Sequence, residues 1–144
     1  HGEHRGMGLL VERFRPGAAA WESLLPAPHL SGGGEGSPRT RAAAVAGALY
    51  LFGGGGGRPW RFDPTGDAWT VLADAHPADA RRIQTTAAAT AVGRCVYFCG
   101  GEDETGSVDA SAEILRVDTA DGVWQAAGPM LDSRMFACAA SLWV

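Results

Sequence analysis

The nine residues RFDPTGDAW (61–69) occur in variant form twice more, as RFRPGAAAW (13–21) and RVDTADGVW (116–124), and the three copies align without gaps. Each opens on Arg, continues with Phe or Val, crosses a short turn and reaches Trp eight residues after the Arg. Pro64, Thr65, Gly66 and Asp67 have turn chemistry, so each copy reads as two strands joined by a tight turn. Upstream, LYLFGG ends at Gly54 and VYFCGG ends at Gly101. Both are β-favouring runs too short for a helix, and each closes on a double glycine. Downstream of each Trp the chain passes Pro or polar residues and reaches Arg39, Arg82 or Arg134. The tryptophans are 48 and 55 residues apart, and the double glycines 47 apart.

A period near 50 is the length of one four-stranded blade of the kelch kind. The extra residues of the second interval lie in EDETGSVDASAEIL (102–115), so a loop is longer and the strands are not. With this register residues 1–7 are a tail, and 8–25 supply the last two strands of one blade. Residues 39–73 form a second blade and 82–127 a third. RMFACAASLWV (134–144) matches RIQTTAAATAV (82–92) and is the first strand of a further blade. The expected fold is all-β: a kelch-type β-propeller fragment with two full four-stranded blades and two partial ones. A length of 144 residues with 46% hydrophobic content is enough to build a core.

From about Gly8 to Val144 the chain resembles kelch-repeat proteins. RFDPTGDAW and GPMLDSRM (128–135) look most like the blades of BTB-kelch proteins. That resemblance implies a protein-binding module, the substrate-recognition part of a cullin-type ubiquitin-ligase adaptor acting in the cytoplasm. It implies contact with the cullin ligase through a domain absent from these residues. Where that family usually has Tyr in the third strand, this chain has Phe14, Phe62 and Val117. A kelch scaffold for cytoskeletal protein is the alternative, with a galactose-oxidase-like enzyme fragment behind it.

The glycines 53–57 do not read as a phosphate loop. A Walker loop continues into Gly-Lys-Ser/Thr, whereas here Gly57 is followed by Arg58 and Pro59. The dinucleotide fingerprint wants a glycine where Arg58 stands and then a helix. Gly53 and Gly54 instead end a strand where backbone packs closely, and Gly55 to Gly57 form the loop. Twelve Lys+Arg are scattered among sixteen acidic residues, for a net charge of −4, which gives no basic face for nucleic acid. No apolar run is long enough to span a membrane as a helix, and HGEHRGMGLL shows no secretory signal. Cys95, Cys99 and Cys138 have apolar neighbours and read as reduced, buried thiols. No metal, cofactor or catalytic set is expected, because no His or further Cys pair stands at ligand spacing and no nucleophile elbow occurs.

The repeated tryptophans read as packing between blades and the repeated arginines as strand-level structure. Function is then left to the loops, which strands hold rigidly while leaving their sequence free. By resemblance to kelch adaptors the relevant loops follow the double glycines and precede each first strand. They carry Arg58 in one case and Glu102, Asp103, Glu104 and Asp109 in the other, with Arg39, Arg41, Arg82 and Arg134 between blades. The expected partner is a protein or peptide.

Overall fold

The structure is a computed structural model and describes residues 10–27, 40–52, 59–72, 87–101 and 110–141. Ten strands are found there, arranged as three antiparallel sheets in a row along the chain. The first is a two-stranded hairpin, β1 (Glu12–Arg13) and β2 (Glu22–Ser23). The second contains β3 (Arg41–Val45), β4 (Ala48–Phe52), β5 (Trp60–Asp63) and β6 (Ala68–Val71) in simple meander order. The third repeats it with β7 (Ala88–Val92), β8 (Cys95–Cys99), β9 (Ser111–Asp118) and β10 (Trp124–Arg134). Among the described residues no helix is long and apolar enough to cross a membrane.

Local chemistry sets these hairpins. Val45 pairs with Ala48 across a two-residue turn whose central residues, Ala46 and Gly47, both have positive φ (48° and 80°). That backbone matches the right-handed twist of the flanking strands, and it suits Gly while costing Ala. Ala46→Gly is therefore expected to stabilise the protein by about 0.5–1 kcal/mol, read as a shift in the denaturant midpoint at unchanged slope. A loss of stability would mean that Ala46 packs in a way its exposed position does not show.

The turns inside the three repeated copies are closed by side chains where the sequence permits. Asp63 accepts from the backbone N–H of Thr65 at 2.9 Å and of Gly66 at 3.4 Å. Asp118, the equivalent residue one repeat later, accepts from the Ala120 N–H at 3.0 Å and pairs with Arg94 at 2.7 Å. These amide donors hold both carboxyls below the usual aspartate range, helped by Arg61 at Asp63 and by Arg94 and then Arg116 at Asp118. The first copy has Arg15 in that place, and its turn is closed by a backbone bond from Ala18 N–H to the Arg15 carbonyl, 2.9 Å.

Two of the three repeated arginines bond across their own hairpins, and the third bonds along its strand. Arg13 opposes Glu22 and binds it at 2.9 Å, and Arg116 opposes Gln125 and donates to it from Nε at 3.1 Å. Arg61 pairs with Asp63 at 3.7 Å.

The core lies between the two four-stranded sheets. Strand alternation sends Ala48, Tyr50 and Phe52 of β4 to one face, and Val96 and Phe98 of β8 meet them with Leu115 and Val117 of β9. Phe52 stands edge-on to Phe98 at 4.9 Å and to Trp124 at 6.0 Å, and Trp124 stacks on Phe98 at 5.4 Å. Trp124 thus packs between sheets as its repetition implied. Trp69 does so differently: it lies on Phe62 at 4.8 Å, and its indole N–H donates to the Leu25 carbonyl of the first hairpin at 3.0 Å. Two more bonds hold that hairpin to the second sheet, from Arg13 to the Pro64 carbonyl (3.0 Å) and from Leu25 N–H to Asp67 (2.9 Å).

Three expectations are corrected. Trp21 is not core: it is 65% exposed, because among the described residues no sheet lies on its side of the first hairpin. Cys138 is exposed as well, although Cys95 and Cys99 are half-buried on one face of β8. Residues 135–141, read from sequence as part of a first strand, carry no strand here. β10 runs on through Arg134, which pairs with Ser111, and no neighbouring ladder takes up the residues beyond it.

Candidate functional site

Antiparallel register gathers the stems of four connections at one end of the two large sheets. Arg41, at the start of β3, opposes Phe52 at the end of β4, and Leu51 opposes Trp60 at the start of β5. In the third sheet Ala88 opposes Cys99, Cys99 opposes Ile114, and Ser111 opposes Arg134. The chain therefore leaves and re-enters this end around residues 53–58, 102–109 and the segments before β3 and β7. Those are the connections that carry the candidate binding residues. Arg39, Arg58, Arg82, Glu102, Asp103, Glu104 and Asp109 themselves lie outside the described residues.

The double glycine forms the floor of this end. Gly100 and Gly101 are buried with φ of 70° and 111°. A Cβ on Gly100 would sit 2.2 Å from the Arg134 carbonyl oxygen, and one on Gly101 would lie 3.1 Å from the Ala87 Cβ. Gly101 N–H donates to the Arg134 carbonyl at 2.8 Å, and the Gly101 carbonyl accepts from Ser111 N–H at 2.8 Å. The stem of the acidic loop 102–109 is thus clamped to the end of β10. Close backbone approach, expected from sequence for the pair at 53–54, is observed at the pair 100–101.

Arg41 and Arg134 are the two candidates with described positions, and they do different things. Arg41 is half-buried; its Nε donates to the Ala87 carbonyl at 2.6 Å and its Nη1 to the Thr40 carbonyl at 3.4 Å. It ties the start of β3 to the start of β7. Arg134 projects into solvent and its guanidinium lies 3.7 Å from Asp132. Next to Arg41 is a cleft of about 350 Å³, lined by Ala42, Ala87 to Ala89 and the segment from Phe136 to Ala139. Phe136 is 75% exposed at φ 54°, an unfavourable backbone for a bulky residue. Sequence reading missed Phe136 and its neighbours because their match to 82–92 marked them as strand rather than lining.

The thiols divide by environment. Burial pushes the Cys99 thiol up, so it stays protonated at neutral pH and is a poor nucleophile. Cys138 on the cleft is exposed and is expected to react with a thiol reagent before Cys95 or Cys99 in the folded protein. Equal rates for all three would show that the sheet opens faster than the reagent reacts. Among the described residues no three His, Cys, Asp or Glu side chains converge as a metal site would need. Searches with the whole chain find no matching protein-family model and no matching curated protein.

Proposed function

We propose that this chain is part of a kelch-type β-propeller that binds a protein or peptide through the loops at its double-glycine end. In that reading each four-stranded sheet is a blade, and the module is the substrate-recognition part of a cullin-type ubiquitin-ligase adaptor in the cytoplasm. The ligase is then engaged by a domain absent from these residues. The gathering of loop stems at one end carries the reading, since the opposite end is closed by short turns, those after Asp63 and Asp118 capped by these side chains. The same meander order in the two four-stranded sheets, with Trp69 and Trp124 reaching a neighbouring sheet from equivalent places, supports the propeller.

Charge gives the loop 102–109 its chemistry. Glu102, Asp103, Glu104 and Asp109 are followed by no basic residue before Arg116, and such a cluster favours a basic or mixed-charge peptide. Arg82 and Arg134 are suited to acidic groups on the same ligand. The test is replacement of Glu102, Asp103 and Glu104 together by Ser, with binding measured to peptides selected on the unaltered protein. Affinity is expected to fall about tenfold at low salt and the salt dependence to flatten, with the melting temperature unmoved. Unchanged affinity at both low and high salt would remove this loop from the site.

A further inference from the structure

Three alanine-rich stretches recur along the chain: RAAAVAG (41–47), AAATAV (87–92) and ACAA (137–140). The structure brings part of each to the cleft beside Arg41. Apart from Arg41, Phe136 and Cys138, every residue lining it is alanine, so the space of about 350 Å³ exists because methyl groups stand where larger side chains would fill it. Arg41 frames the cleft, its Nε bonded to the Ala87 carbonyl at 2.6 Å. The cleft also adjoins the acidic loop. Ala87 Cβ lies 3.1 Å from where a Cβ on Gly101 would stand, and Gly101 is the stem of the loop 102–109. Phe136 supplies the one ring, held at φ 54° in a backbone that bulky residues adopt only under strain, and such strain concentrates where ligands are held. Ligand sites span about 300–1,000 Å³, and an apolar hollow at the low end of that range suits a single side chain.

We propose that this cleft receives one bulky apolar side chain, aromatic or branched aliphatic, from a peptide whose neighbouring residue is basic. The apolar guest follows from the methyl lining, and the basic neighbour from the carboxylates that begin one residue beyond Gly101. That the guest belongs to a peptide rests on the function proposed above; the preference of the cleft for an apolar group does not.

Cys138 lines the cleft and is exposed, which makes it a handle for the test. The whole chain is equilibrated with two cysteamine mixed disulfides, one carrying a naphthyl group and one a glycinamide group, under 2-mercaptoethanol. The Cys138 thiolate attacks the probe disulfide, keeps the probe's sulfur in a new S–S bond and releases cysteamine as its thiolate. Mass mapping is expected to find about tenfold more naphthyl than glycinamide probe on Cys138. Ala42→Ile, which fills the cleft from an exposed strand position, should remove that preference; Ala137→Leu takes its place should circular dichroism show it unfolded. Equal capture of the two probes by the unaltered chain overturns the proposal, as does a preference that survives filling of the cleft. The second arm uses peptides selected on the unaltered protein. Each should contain an aromatic or branched aliphatic residue beside Lys or Arg, and changing that residue to Ala should cost about tenfold in affinity on the unaltered chain but little on Ala42→Ile. Selected peptides with basic residues and no such apolar residue would overturn the cleft as their subsite while leaving the role of the loop standing. A naphthyl preference at Cys138 with no peptide selected at all upholds the cleft and counts against the loops.

Discussion

Gly100→Ala is expected to cost at least about 3 kcal/mol, enough to leave a protein of ordinary stability largely unfolded on mild heating. Two effects combine. The backbone at φ 70° is one that L side chains adopt with strain, and a methyl group there would lie 2.2 Å from the carbonyl oxygen of Arg134. That oxygen cannot move aside cheaply, since it accepts the Gly101 N–H that clamps β10 over the loop stem. Gly47→Ala separates the effects. Gly47 has a similar φ of 80° but nothing within 4 Å of its would-be Cβ, so its cost is strain alone, about 1–2 kcal/mol. Chemical denaturation of both variants measures the difference. Equal losses would show that β10 does not pass over Gly100.

Gly100 also shows what was legible in the sequence. A double glycine recurring 47 residues on, at the end of an equivalent strand, announces a backbone constraint whatever the fold, because no other residue supplies both positive φ and a missing Cβ. The strands that flank it were legible for the same reason: their length, β-branched and aromatic content and turn residues are local properties. Asp63 and Asp118 cap their turns with bonds to amides two residues on, which neighbouring residues alone determine. Contacts between repeats were less so. Nothing in RFRPGAAAW distinguishes an exposed Trp21 from a half-buried Trp124, since burial there depends on whether another sheet stands opposite. Arg41 read as a loop charge, yet it spends its Nε on a carbonyl 46 residues away. The cleft beside it is closed by Phe136 to Ala139, whose apolar pattern has the period of a strand but no partner to pair with.

Phe98→Ala is expected to lose about 3–5 kcal/mol, the larger end if the surrounding rings fail to collapse into the space. Phe98 is 1% exposed and is the hinge of the inter-sheet contact: Phe52 of the second sheet meets its edge while Trp124 of its own sheet stacks on its face. Removing it takes ring contacts from both sheets at once. The loss should exceed that of Trp69→Ala, whose ring is half-exposed and keeps only Phe62 and one indole bond to the first hairpin. A double-mutant cycle between Phe52→Leu and Trp124→Leu isolates the part that acts across the sheets. The two rings stand 6.0 Å apart in an edge-on arrangement, so coupling of about 0.5–1.5 kcal/mol is expected. Strict additivity, with Phe98→Ala costing less than about 1 kcal/mol, would mean that the two four-stranded sheets are not held together through these rings.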